Sequence, residues 1–170
     1  MTQRSLRQRI AILIGLLILV LILVGTLQPI PQDPGYHLFA DSRGFFGIPN
    51  FNDVVSNIGF TLVGVLGFFL VIGESRRILF ARSVDARPYR IFFIAVTLIG
   101  VGSAYYHWAP SNERLFWDRL PMAMAFMAIT SATIADRIDA KAGNGWLLLL
   151  LLAGGAVSLI YWHWTEPQAR

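Results

Sequence analysis

The sequence predicts an all-α fold, a polytopic transmembrane helix bundle. Of 170 residues, 55% are hydrophobic and 14% charged, and several apolar runs are long enough to cross a hydrocarbon core of about 30 Å at about 1.5 Å per helical residue. The basic residues fall between these runs, the arrangement that sets membrane orientation. Five spans are expected, at about residues 10–27, 52–72, 90–108, 115–135 and 146–164, within one transmembrane domain over residues 1–170. Unsatisfied backbone groups are too costly in hydrocarbon for these spans to be anything but helical, and their short connections make neighbours antiparallel.

The first span follows Arg4, Arg7 and Arg9. It resembles a signal peptide, but it runs from Ile10 to Leu27 with no small-residue cleavage site after it, so it is expected to be retained. The second span opens with Asp53, Ser56 and Asn57, whose i, i+3, i+4 spacing puts them on one face; Asp53 also suits a helix N-terminus through the macrodipole. The third ends with Ser103 and His107 on one face, and Gly100, Gly102 and Ser103 give it a small face for close helix approach. Ser111 or Asn112 is expected to cap the fourth helix, with Asp118 in its second turn. Adjacent helical residues point about 100° apart, so Arg119 is not the obvious partner of Asp118 and is expected to snorkel to the interface. Pro121 frees the carbonyl of Trp117, predicting a kink that opens space beside the aspartate. The fifth span closes on Tyr161-Trp162-His163-Trp164, which reads as an aromatic belt as well as a ligand position. His37 lies in the first loop.

Lysine and arginine place the termini. Arg4, Arg7, Arg9, Arg76, Arg77, Arg82, Arg87, Arg90, Arg137 and Lys141 fall on one side, against Arg43, Arg114 and Arg170 on the other. The predicted topology is N-inside and C-outside. Asp53, Ser56, Asn57, Ser103, His107, Asp118 and His163 then share one leaflet, facing the exterior or a lumen. An ionisable residue in a span costs about 2.5–3.5 kcal/mol on insertion scales and usually faces a cavity or partner, so clustering at one depth predicts a shared, partly hydrated pocket.

The net charge of +4 is spread between apolar runs rather than along one stripe, which argues against nucleic acid as a partner. With no cysteine, a metal must be held by His, Asp or Glu. Two hydrolytic mechanisms fit the residues. Ser103 is a nucleophile with His107 as base and Asp118 as orienter, although i, i+4 placement on one helix restricts that geometry; or His107 ligates zinc, with Asp118 or Ser103 handling protons and orienting the reacting oxygen. Axial ligation of a haem by His107 and His163 is a third reading.

Gly100-Val101-Gly102-Ser103, then His107, then Asp118 with Leu120-Pro121-Met122, together with the earlier Ser56-Asn57-Ile58-Gly59-Phe60, resemble the alkaline ceramidases and their wider superfamily of seven-helix membrane hydrolases and receptor-like proteins. The resemblance runs from about Asp41 to the end. It implies hydrolysis of the amide of a ceramide-like lipid with a long acyl chain, with His107 a zinc ligand, Ser103 beside the metal and Asp118 in proton transfer. The family's last-helix His-x-x-x-His pair has no counterpart here, so the chain is expected to match the first five helices of that fold, with an incomplete zinc site that His163 helps to fill. That absence keeps a non-catalytic, receptor-like role open. Of the family's calcium segment Asp41 is retained, while Gly44 and Asn50 stand where acids are expected, so calcium dependence is not implied.

Overall fold

The computed structural model describes residues 3–74 and 76–168; Arg170, counted above among the basic residues, lies outside them. Eight helices are named here α1 (Gln3–Thr26), α2 (Phe51–Ser56), α3 (Ile58–Ile72), α4 (Arg76–Leu79), α5 (Arg87–Trp108), α6 (Asn112–Arg137), α7 (Ala140–Gly143) and α8 (Trp146–Thr165). Single 3-10 turns cover Pro34–His37, Ser83–Ala86 and Glu166–Gln168.

A helix forms in each of the five expected stretches. Among the described residues, four segments are long and apolar enough to cross a membrane: Gln8–Thr26, Phe51–Ile72, Ser83–Trp108 and Trp146–Thr165. The expected fourth span, in α6, is not one of them, because Glu113, Arg114, Asp118, Arg119, Asp136 and Arg137 lower its apolarity. Its place in the bundle explains the composition. α6 lies between α5 and α8 and buries Leu115, Asp118, Pro121, Ala125, Ala128, Ser131, Ala132 and Ala135, so protein rather than lipid covers much of it. α1 buries none of its span.

Small residues set the close approaches between antiparallel neighbours. A Cβ on Gly64 would meet Thr97 and one on Gly67 would meet the Phe93 ring, joining α3 to α5. Gly100 faces Thr61 and the Asn57 carbonyl on the same seam, whereas Gly102 faces the Trp117 carbonyl of α6. The small face expected on α5 therefore serves two different helices. Gly155 lies against Met127, joining α8 to α6.

The second span is broken at Asn57. The Asn57 side-chain amide donates to the Asp53 carbonyl at 2.6 Å, Ser56 Oγ donates to the same carbonyl at 3.1 Å, and the Asn57 backbone N–H turns to Val54 at 3.4 Å. Side chains that compete for a backbone acceptor interrupt helices in this way. At the other end of the bundle, Ser131 Oγ donates to the Gly143 carbonyl at 2.6 Å, Tyr89 donates to Asp136 at 2.8 Å, and Asp85 accepts from Arg82 and Asn144, each at 2.8 Å.

Candidate active site

The candidate site lies where α5 ends and α6 begins. Ser111 caps α6, accepting from the Arg114 N–H at 3.3 Å, and the antiparallel register sets Gly102 beside Trp117 and Asp118. Because no Cβ intervenes there, the helices approach closely and the next residue, Ser103, lies beside the Asp118 carboxyl. Ser103 and Asp118 are both buried. His107, one turn beyond Ser103, is close enough to interact electrostatically with Asp118. Asp118 Oδ1 and His107 Nδ1 are each buried without a hydrogen-bond partner. A buried polar atom left unpaired costs on the order of 1–3 kcal/mol, so these two neighbouring atoms are available to a ligand.

The first loop forms a roof over this end. Asp33 caps the Pro34–His37 turn, accepting from the Gly35 N–H at 2.8 Å. That turn presents His37 to two helices: Nδ1 lies 2.9 Å from the Tyr106 hydroxyl and Nε2 lies 2.8 Å from Asn112 Oδ1. Asn112 Oδ1 accepts only, so Nε2 carries the proton and Nδ1 accepts from the tyrosine. Phe39 stacks on His107 with centroids 4.5 Å apart, and the Asn50 amide donates to the His107 carbonyl at 2.8 Å.

Arg119 reaches toward the loop end of the bundle, where aromatic rings cover it. Its guanidinium is half-buried between two aromatic faces, 5.2 Å from the Tyr36 ring centroid and 4.8 Å from that of Trp162, an arrangement worth more when desolvated than at an exposed site. His163, its neighbour on α8, is exposed and stacks on Phe116 at 5.0 Å.

The expected polar cluster thus separates into parts. Ser103, His107 and Asp118 come together. Ser56 and Asn57 turn back on the Asp53 carbonyl and shape the helix break, which meets α5 at Gly100. Asp41 caps α2 from outside, with one carboxylate oxygen on Arg43 at 2.7 Å and the other on the Asn52 N–H at 3.0 Å. No group of three or more His, Asp or Glu able to hold a metal occurs among the described residues. In the sequence, the one signal for His37 and its ring neighbours Tyr36 and Phe39 is the Asp33-Pro34-Gly35 turn.

Pro121 lines space, but not beside the Asp118 carboxyl. A cavity of about 580 Å³ opens on the other face of the α5–α6 pair, lined by residues that include Ile94, Leu98, Val101, Tyr105, Trp117 and Pro121. Val101 and Tyr105 are each two residues from Ser103, hence about 200° around α5 from it.

A family model described as Ceramidase matches residues 48–170, which include α2 to α8 and Ser103, His107 and Asp118. No curated protein and no solved structure matches the chain. The match covers most of the sequence, and the chain belongs to the ceramidase family.

Proposed function

We propose that this protein is a membrane-embedded, zinc-dependent amidohydrolase that cleaves the amide of a ceramide-like N-acyl lipid to a long-chain amine and a fatty acid. Membership of the ceramidase family supports hydrolysis of a lipid amide. The observation that carries the site assignment is the pair of buried, unpartnered atoms, His107 Nδ1 and Asp118 Oδ1, beside Ser103.

An imidazole nitrogen is a donor that zinc accepts, so His107, with Nδ1 buried and unpartnered, fits the metal as part of a ligand set. His107 is the proposed ligand, and His163 is the candidate within this chain for a further one. When bound, zinc supplies Lewis acidity at the scissile carbonyl. Asp118 takes a proton from the attacking water and returns it to the leaving amine as the C–N bond breaks. Ser103, beside the Asp118 carboxyl, orients it. Phe39 and the roof it belongs to keep bulk water from His107. The arginine distribution supports an exterior or luminal position for the site.

The test is zinc content of the purified protein together with fatty-acid release from an N-acyl sphingoid lipid. The expected result is bound zinc and turnover, both lost in His107→Ala, with turnover alone lost in Asp118→Asn. Bound lipid without zinc or turnover would overturn this reading and favour the non-catalytic, receptor-like role, which the lack of a third ligand among the described residues supports.

A further inference from the structure

The cavity on the far face of the α5–α6 pair has no part in the proposed chemistry, and its position and charge point to a different ligand. Ile94, Leu98, Val101, Tyr105 and Trp117 are 45–56% exposed, so it is a groove open along its length rather than an enclosed chamber. On α5 the lining runs from Ile91 to Tyr105, about 21 Å at about 1.5 Å per residue. That exceeds the depth of one leaflet, half of a core of about 30 Å. The lining is apolar except near its Tyr105 and Trp117 end, where aromatic residues of the kind found at the bilayer interface stand.

A cation sits at that same end. The Arg114 guanidinium lies 4.2 Å from the Tyr105 ring centroid and donates one bond, from Nη1, to the Tyr105 carbonyl at 3.1 Å. An arginine has five N–H donors, so this contact fixes the side chain against the groove mouth and leaves donors free. The charge stands about one helical turn beyond Trp117 along α6.

We propose that this groove binds an anionic phospholipid of the surrounding bilayer, with one acyl chain along the Ile94-Leu98-Val101 stripe and the acidic headgroup on Arg114. A zwitterionic lipid offers the same chain but answers its own phosphate charge. A free fatty acid offers a carboxylate but lacks the second chain that holds a phospholipid at headgroup depth.

The experiment is native mass spectrometry of the full chain released from neutral-detergent micelles doped with equimolar phosphatidylglycerol and phosphatidylcholine, and separately with palmitate. The expected result is at least fivefold preferential retention of phosphatidylglycerol. Arg114→Gln should bring it down to the phosphatidylcholine level, and Leu98→Trp, which fills the groove, should remove both lipids while helicity by circular dichroism is unchanged. Equal retention of the two phospholipids overturns the proposal, as does undiminished phosphatidylglycerol binding in Arg114→Gln, or retention of palmitate alone. If Leu98→Trp loses helicity, Arg114→Gln, which removes one exposed hydrogen bond and the contact with the Tyr105 ring, decides the outcome by itself.

Discussion

The ring of Phe39 lies 4.5 Å from that of His107, tilted by 45°, and the loop carrying it is fastened by His37 to both helices of the site. Replacing His37 by alanine strips Tyr106, 2% exposed, of its hydrogen-bond partner and frees Asn112. A loss of about 1–3 kcal/mol of stability is expected from the orphaned buried hydroxyl. Thermal unfolding in detergent checks this, and the His37→Ala, Tyr106→Phe pair should be non-additive in a double-mutant cycle. Additive effects would mean that the two side chains act separately.

Gly102 and Gly154 make opposite predictions for one substitution. A Cβ at Gly102 would collide with the Trp117 carbonyl, while one at Gly154 meets nothing within 4 Å. Gly102→Ala should cost about 1–3 kcal/mol through overpacking, with loss of turnover as Asp118 shifts away from Ser103. Gly154→Ala in α8 should be neutral or stabilise by about 0.5–1 kcal/mol, the usual difference between glycine and alanine within a helix. Melting temperatures of the two variants, measured side by side, test the assigned helix seam.

The Arg43 guanidinium hydrogen-bonded to Asp41 holds its carboxyl below the ordinary value of 3.8, and the Asn52 N–H acts in the same direction. A carboxyl whose folded value lies below its unfolded one contributes its stability in full above the unfolded value and loses it as pH falls through the folded one. Protection of the Asn52 amide against hydrogen exchange should therefore hold at and above about pH 5 and weaken below about pH 3.8. In Arg43→Ala the weakening should begin at higher pH. A profile unchanged by that substitution would show that Arg43 does not set the Asp41 equilibrium.

The absence of cysteine makes sidedness directly measurable. Ser42→Cys, in the roof-bearing loop, should react with a membrane-impermeant maleimide in intact cells, and Ser83→Cys, in the arginine-rich turn, only after permeabilisation. The reverse pattern would invert the topology drawn from the arginines.

Helical periodicity and charge placement made the bundle legible. Apolar runs mark the five helical stretches, and i, i+4 spacing puts Ser103 and His107 on one face. The break at Asn57 was not legible, because neither glycine nor proline marks it and the cause is a side chain reaching back four residues. Composition also hid the role of α6: its charges lower the apolarity expected of a lipid-facing span but suit a helix flanked by α5 and α8. His37 and Phe39 carry no periodic signal, since a loop residue gains its importance from what the rest of the chain places beneath it. The ring partners of Arg119 were not legible, because a local view of its helix cannot reveal Tyr36 and Trp162, which arrive from distant parts of the sequence.

The succession of α3, α5, α6 and α8, each packed on its neighbour in the chain, also bears on the order of assembly. Contacts between consecutive hairpins are local and form early, so each helix can dock as synthesis delivers it. The His37 clasp is one of the contacts that depart from this, joining partners 69 and 75 residues away. It closes only after Asn112 has been made and α6 has begun, which makes completion of the roof over His107 a late event in the biogenesis of the protein.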